Sequence, residues 1–188
     1  QRTEGHKAAE GEGRMRKQEE HGEDRHVHVV HPFAPVYDSH SRVLVLGTFP
    51  SVKSRENQFY YGHPRNRFWK VIAGQWEEPV PQTADEKKKL LLDHRIALWD
   101  VITSCDIIGS SDSSIRNPEP APLEQILSLA DIRQIFGNGQ KACQLYNRYS
   151  RPKTGKEIIG LPSTSPANAS CSLERLTQEW KILIKYCK

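Results

Sequence analysis

Four short apolar runs alternate along the chain with segments of helical periodicity, and this alternation constrains the fold more than any other feature. The runs are "RVLVLG" (42–47), "IALWDVI" (96–102), "IRQIFGNG" (132–139) and the start of "KEIIGLPSTSPANA" (156–169). A short, continuous apolar run suits a strand that is buried on both faces, as in a parallel sheet. The order predicts an α/β domain over residues 27–188, a three-layer α/β/α sandwich around a central four-stranded parallel sheet.

Five segments between and after these runs are predicted to be helices. "TADEKKKLLLDH" (83–94) begins with Thr83 and Glu86 at capping-box spacing. "SLERLTQEWKILIKYC" (172–187) is predicted as one closing helix with five apolar residues on a single face, namely Leu173, Leu176, Trp180, Leu183 and Ile184. The other helices cover residues 66–74, 122–130 and 140–150, and residues 103–121 are predicted to be a polar loop.

Residues 1–26 differ in composition from the rest of the 188-residue chain. They lack the apolar core of a secretion signal and are rich in Glu, Lys, Arg and Gly, which predicts a disordered tail or a segment added for expression. This segment holds 6 Lys or Arg and 7 Asp or Glu, so the remainder carries a formal charge of +5, which fits a polyanionic partner without requiring one. No run of about 18 or more apolar residues is present, so no membrane span is predicted.

The cysteines and histidines do not form a recognisable metal or disulfide pattern. The four cysteines, Cys105, Cys143, Cys171 and Cys187, are scattered without a C-x-x-C pair, which favours reduced thiols and an intracellular protein. In "HVHVVHP", His26, His28 and His31 alternate with valines like a solvent-facing edge and lack Cys or acidic neighbours at ligand spacing. No metal site is therefore expected.

In an open parallel sheet the ligand site lies outside the carboxyl ends of the strands. The loops there are "GTFPSVKSRENQFYYGHP" (47–64), the loop after Asp100, "GNGQK" (137–141) and "LPSTSPANAS" (161–170). The glycine at position 47 permits close approach of a ligand to the backbone. Hydroxyls on the first and last loops, with nearby basic residues, could grip phosphates of one DNA strand; the alternative role for each serine is turn capping. The residues concerned are Ser51, Ser163, Ser165 and Lys53.

The run "FYYGHP" adds aromatic faces to the first loop. A nucleobase flipped out of DNA loses its stacking, and Phe59, Tyr60 or Tyr61 could restore it. The alternative is that these rings anchor the loop in the core, which is expected of at least one of them. No G-x-S-x-G elbow supports a serine nucleophile.

Several long motifs in order resemble the hypoxanthine-DNA (deoxyinosine) glycosylases, the sixth family of the uracil-DNA glycosylase superfamily. They are "VLVLGTFPS", "SVKSRENQFYYGHPRNRFWKVI", "ALWDVI", "GSSDSSIRN" and "LPSTSPANA" followed by "SLERL". "GHPRNRFWKVI" is also similar to "HPANRFWKVI" of the mismatch-specific uracil glycosylases. The resemblance runs from about His31 to the end of the chain. It implies a monofunctional enzyme that flips a deaminated base from duplex DNA and hydrolyses its glycosidic bond with water, without a cofactor.

The resemblance also identifies two positions where this chain departs from the uracil-type enzymes. Phe49 stands where those enzymes keep an Asp or Asn, and Leu161 stands where some keep a histidine. Neither side chain can orient water or donate a hydrogen bond. Asn66 remains in the aligned core, and we expect it to orient the attacking water through its amide oxygen. Asp100 and Asp112 either tie loops together or supply the missing base.

The remaining roles follow from the same alignment. Tyr61 is expected to stack on the base, with Gly47 and Phe49 beside it in the base pocket. Asn138 is expected to contact a phosphate or the base. Phosphates are assigned to Ser51, Lys53, Ser163 and Ser165, and the loop containing Asn168 is expected to press into the groove.

Three alternatives stay open at this point. The protein could be a broader or uracil-directed mismatch glycosylase, a catalytically silent module that recognises damaged DNA, or a hydrolase of free nucleosides. A monomer is expected in each case.

Overall fold

The computed structural model of this chain describes residues 25–188, and its centre is a four-stranded parallel sheet. In chain order the strands of this described part are β1 (Val27–Val30), β2 (Val43–Gly47), β3 (Ile96–Asp100), β4 (Ile102–Ile107), β5 (Arg116–Pro120), β6 (Gln134–Asn138) and β7 (Ile158–Leu161). The parallel sheet has the order β3-β2-β6-β7. The predicted strands and the predicted three-layer sandwich are confirmed. The tail prediction for residues 1–26 lies, except for its last two residues, outside the described part.

The parallel strands are apolar because helices cover both faces of the sheet. Every residue of β2 and β3 is buried. The register pairs Gly47 with Asp100 and Asn138 with Leu161, so the strands end at a common edge. This edge brings the loops that follow them together.

A second, antiparallel sheet with the order β1-β4-β5 packs beside the first. The prediction of a polar loop over residues 103–121 is therefore wrong. In β4 the buried residues Ile102, Cys105 and Ile107 are mixed with polar ones, so the segment lacks a continuous apolar run. Strand β5 reads "RNPEP" and pairs only with β4, a position at the sheet edge where proline is tolerated.

The helices are α1 (Val52–Asn57), α2 (Phe68–Gln75), α3 (Ala84–Asp93), α4 (Glu124–Leu127), α5 (Gln140–Leu145), α6 (Arg151–Thr154) and α7 (Leu173–Trp180). Helix α1 was not predicted, because it is a short helix inside the loop that begins at Gly47. A π-helical turn joins α5 to α6, and the predicted closing helix changes to 3₁₀ geometry after Trp180. Among residues 25–188, no helix is long and apolar enough to cross a membrane.

Local signals explain where the main helices begin. Thr83 Oγ1 accepts a hydrogen bond from the backbone N–H of Glu86 (3.1 Å), as the capping spacing predicts. Ser172 caps α7 in the same way. Helix α7 buries Leu176 and Trp180, but Leu173, which was predicted to share that face, is 40% exposed. The first residue of the helix lies too far out to reach the core.

Candidate active site

A cavity of about 320 Å³ opens at the carboxyl ends of the parallel strands. Its lining includes residues 47–51, Tyr61, Asn66, Asp100, Asp112, Asn138 and 163–167, so all four predicted loops contribute. The volume lies at the lower end of the range of about 300–1,000 Å³ for small-molecule sites. Of the residues predicted for the site, only Lys53 and Asn168 lie outside this lining.

Gly47 forms the point of closest packing in the cavity wall. A Cβ atom added there would lie 2.4 Å from Asp100 Oδ1 and 2.9 Å from Tyr61 Oη. Such contacts are impossible, so only glycine leaves room for both polar groups. The strand end therefore holds a carboxylate and a phenol side by side at the cavity.

His31, which the sequence reasoning did not assign to the site, is the partner of Asp100. Its Nε2 lies 2.8 Å from Asp100 Oδ2, and the two side chains are 3% and 5% exposed. The His31 backbone N–H donates to Thr103 O (2.7 Å), which links the end of β1 to β4. The signal for it in the sequence is the histidine group "HVHVVHP", whose spacing argues only against a metal site and does not indicate a carboxylate partner.

The three histidines of that group have separate partners. His26 Nε2 lies 2.8 Å from Ser114 O, and His28 Nδ1 lies 2.8 Å from Asp106 Oδ1. Among the residues that the structure describes, no group of three or more His, Cys, Asp and Glu side chains could hold a metal ion.

Asp112 is the second carboxylate of the cavity and lies in a 3₁₀ turn, Asp112–Ser114. Burial, assisted by the nearby charge of Asp100, raises the pKa of its carboxyl group from 3.8 to about 6. Lys141 and a hydrogen bond from Thr48 oppose this increase. The carboxyl group thus changes its charge near neutral pH, where a general base is most effective.

The aromatic residues of the first loop divide into anchors and a cavity wall. Phe59 and Tyr60 are 7% and 1% exposed and anchor the loop; Tyr60, whose Oη donates to Ala34 O (2.9 Å), also lines the cavity. Tyr61 lines the cavity and stacks on Phe68 with ring centroids 4.1 Å apart. Its φ of 54° lies in the left-handed region, which costs energy for a residue other than glycine. The loop holds this ring in place at the expense of local strain.

The pKa of the Tyr61 hydroxyl is raised by burial and by the charge of Asp100. It therefore remains protonated over the physiological pH range. The side chain lines the cavity while its hydroxyl group is buried and uncharged.

Asn66 lines the cavity two residues before α2 begins. Its Oδ1 accepts hydrogen bonds from the Phe68 backbone N–H (2.9 Å) and from Thr164 Oγ1 (3.0 Å). Both lone pairs of the amide oxygen are thus in use. This arrangement disfavours the expectation that the oxygen orients water, whereas a role for Asn66 in the site stays a prediction.

Asn138, at the end of β6, faces the loop after β7. Its Oδ1 accepts from the Thr164 backbone N–H (3.0 Å), and its Nδ2 donates to Thr164 Oγ1 (3.0 Å). It lines the cavity as predicted, but two of its hydrogen bonds hold a loop. Its contact with a base or phosphate stays a prediction.

Arg67 fastens the loop after β7 from the other side. Its guanidinium group donates to the carbonyl oxygens of Cys171, Asn168 (2.9 Å) and Ser165 (3.5 Å). Asn168 Nδ2 in turn donates to Ser163 O (3.0 Å). Asn168 therefore braces the loop, and its predicted contact with the DNA groove remains untested.

The predicted phosphate-binding serines all cap local turns. Ser51 Oγ accepts from the backbone N–H of Ser54 (3.2 Å), Ser163 Oγ from that of Ser165 (3.1 Å), and Ser165 Oγ from that of Ala167 (3.2 Å). For Ser163 and Ser165, capping uses an acceptor position and leaves the hydroxyl hydrogen for a ligand, so capping and the predicted phosphate role are compatible. The Ser51 hydroxyl instead donates to Ser54 Oγ (3.1 Å), so its hydrogen is already in use.

Lys53 and the two positions that differ from the uracil-type enzymes, Phe49 and Leu161, lie in different surroundings. Lys53 is exposed on α1, where its Nζ lies 3.2 Å from Glu56 Oε2. Phe49 lines the cavity while being 7% exposed, and Leu161 is buried at the end of β7. Phe49 is therefore an apolar part of the cavity wall, whereas Leu161 lies outside the lining.

Comparison with known proteins places this architecture in a family. The profile of the Uracil DNA glycosylase superfamily matches residues 34–185. The chain belongs to the uracil DNA glycosylase superfamily. That match includes all four cavity loops, so the site described above lies in the superfamily region.

Curated relatives and a solved structure from this superfamily cover most of the chain. A protein of Methanosarcina acetivorans named "Hypoxanthine DNA glycosylase" is 36% identical over 156 residues, 82% of this chain and 97% of the relative. A protein of the same name from Methanosarcina barkeri is 31% identical over 139 residues, 72% of this chain and 86% of the relative. A solution NMR structure from M. acetivorans, described as a candidate uracil DNA glycosylase, has a TM-score of 0.68 at 33% identity. It covers 82% of this chain and 96% of that chain.

Proposed function

We propose that this protein is a monofunctional DNA glycosylase that flips deoxyinosine out of duplex DNA and hydrolyses its N-glycosidic bond, releasing hypoxanthine. The observation that carries the proposal is the 36% identity, over 82% of this chain, to a relative named hypoxanthine DNA glycosylase. The active unit proposed is a monomer. A substrate in chromosomal DNA makes it an intracellular enzyme.

The walls of the cavity are suited to a flipped purine. Tyr61 offers one ring face while Phe68 supports the other, and stacking on such a face replaces the stacking lost from the duplex. Asp100 supplies an ordered carboxylate acceptor beside Gly47. Hypoxanthine carries a donor at N1–H, whereas adenine has an acceptor there, so an acceptor in the pocket favours the deaminated base.

Asp112 is the best-placed candidate for activating water. Its raised pKa, about 6, leaves it mainly ionised at neutral pH while keeping its affinity for a proton near that of an efficient base. When the C1′–N9 bond breaks, its electron pair stays with the base, and the sugar becomes cationic. Water then adds at C1′ and gives its proton to the carboxylate. The charges of Asp100 and Asp112 also favour the cationic sugar.

The experiment is an excision assay on matched duplexes. Each duplex carries inosine, uracil, xanthine or adenine at one position, and strand cleavage by alkali after incubation reports the abasic site. We expect the inosine duplex to be cut fastest and the adenine duplex to remain intact. Free deoxyinosine, as a separate substrate, should be inert if the enzyme needs DNA.

The other outcomes identify the competing functions. Faster release of uracil would overturn the substrate assignment and favour a uracil-directed enzyme. Absence of alkali-labile sites in every duplex, with binding retained, would favour a silent damage-recognition module. Cleavage of the inosine strand without alkali would contradict the monofunctional reaction.

A further inference from the structure

Thr164 is a completely buried polar residue at the junction of three cavity loops. Its side chain lies between Asn138, which follows β6, and Asn66, which precedes α2. Its carbonyl oxygen accepts the backbone N–H of Arg67 (3.1 Å). All four hydrogen-bonding groups of this one residue are therefore committed to other loops.

The direction of each hydrogen bond in this network is fixed by two backbone N–H groups, which can only donate. The Phe68 N–H lies 2.9 Å from one end of the Asn66 carboxamide, so that end must be Oδ1. The Thr164 N–H likewise identifies Oδ1 of Asn138, and Nδ2 of Asn138 must then donate to the Thr164 hydroxyl. The hydroxyl hydrogen has one acceptor left, which is Asn66 Oδ1 at 3.0 Å.

This one-way network determines what Asn66 can offer a substrate. Its oxygen is saturated, and within residues 25–188 no hydrogen bond involves its Nδ2. Asn66 nevertheless lines the cavity. The part of the carboxamide available to a ligand is thus the amino group, with two N–H donors.

We propose that Thr164 is a positioning residue that locks the Asn66 carboxamide with its amino group toward the substrate, so that Asn66 acts as a hydrogen-bond donor. This inference rests on the proposed function. The acceptor is the departing base, whose ring nitrogens and carbonyl oxygen gain electron density as the pair of the C1′–N9 bond moves onto it. A fixed donor at that position stabilises the transition state more than the ground state.

The decisive substitution is Asn66→Asp. Aspartate has the same shape and can still accept both hydrogen bonds at one oxygen, but it has no N–H. If Asn66 donates, Asn66→Asp and Asn66→Ala should both lower the single-turnover excision rate, each by about 100-fold or more, the usual loss for one such donor. If Asn66 instead orients water through an oxygen, Asn66→Asp should retain or exceed wild-type activity, which would overturn the inference.

The positioning role is tested by Thr164→Val and Thr164→Ser. Valine keeps the shape without the hydroxyl and should slow excision by about 10-fold or more with DNA affinity unchanged, whereas serine should restore the rate. In an Asn66→Ala background, Thr164→Val should have no further effect on the rate, since Thr164 acts through Asn66. A rate loss of equal size in both backgrounds would indicate a merely structural role and contradict the proposal.

Thr83→Val is the matched control, because it removes a threonine hydroxyl that caps α3 outside the cavity lining. It should lower thermal stability and leave the excision rate unchanged. The assay uses whichever deaminated base the wild-type protein releases. If the wild-type protein is inactive on every duplex, both the proposed function and this inference are wrong. If the wild-type protein and Asn66→Asp are both active, only the inference is wrong.

Discussion

At the scale of single residues, Asp112 should set the pH dependence of excision. A general base works only when ionised, so the single-turnover rate should fall about tenfold per pH unit below about pH 6, the pKa of this group. Asp112→Asn should be slow at every pH. A flat profile for the wild-type enzyme between pH 5 and pH 8 would contradict this role.

Asp112 should also cost the enzyme stability at neutral pH. Its pKa is higher in the folded chain than the ordinary 3.8, so the folded state binds the proton more tightly and the penalty appears as pH rises through about 6. Asp112→Asn should therefore raise the midpoint of thermal unfolding at pH 8 and leave it nearly unchanged at pH 4. An equal shift at both values would mean that the effect is not electrostatic.

The His31–Asp100 pair should stabilise the fold as well as order the site. Removing one partner of a buried pair leaves a polar group without a hydrogen bond, so His31→Leu should lower the free energy of unfolding by about 2–3 kcal/mol. His31→Gln retains an N–H donor, so it should lower the free energy of unfolding by a smaller amount. Urea unfolding measures both.

His28→Leu is the control for that substitution. His28 lies on β1, three residues before His31, and also contacts an aspartate, but its side chain is 63% exposed. Exposed pairs contribute about 0–1 kcal/mol, so its loss should be small. Similar losses for both histidines would show that the burial of the His31–Asp100 pair has no energetic consequence.

At the scale of elements, the continuous apolar runs made the parallel sheet predictable. Strands β4 and β5 were missed because their stability comes from pairing with each other and with β1, and their own residues are mixed in polarity. The cavity loops were found because parallel strands end at one edge. The orientation of the Asn66 amide was not predictable, since it depends on Thr164, which is 98 residues away.

The loop after β7 should depend on Arg67 for its shape. Arg67→Lys keeps the charge but loses the planar fork that serves several carbonyl oxygens. We expect about tenfold weaker binding to duplex DNA, equivalent to the loss of one charge-assisted hydrogen bond. The salt dependence of binding should not change, because Arg67 contacts the protein backbone.

Arg65→Lys is the control for Arg67→Lys. Arg65 is exposed, two residues before Arg67, and the same change of side chain should leave the affinity near that of the wild type. If Arg67→Lys reduced the salt dependence, Arg67 would be a phosphate contact rather than a loop clamp.

At the scale of the whole molecule, the carboxyl edge of the parallel sheet should be the DNA-binding face. If Lys53 contacts a phosphate, Lys53→Gln should reduce the slope of log K against log salt by about 1. Lys153→Gln, on α6 shortly before the amino end of β7, should leave the slope unchanged. If both substitutions changed the slope equally, DNA would bind at another face of the protein or be attracted only by the overall positive charge.

The His31–Asp100 contact has a consequence for where this protein can be divided. The superfamily match begins at residue 34, so β1 and His31 precede it. A fragment trimmed to the matching region would keep every cavity loop and still lack the group that pairs with Asp100. Because His31 is the buried partner of Asp100, a shortened form of this chain should begin before residue 31 to keep that contact.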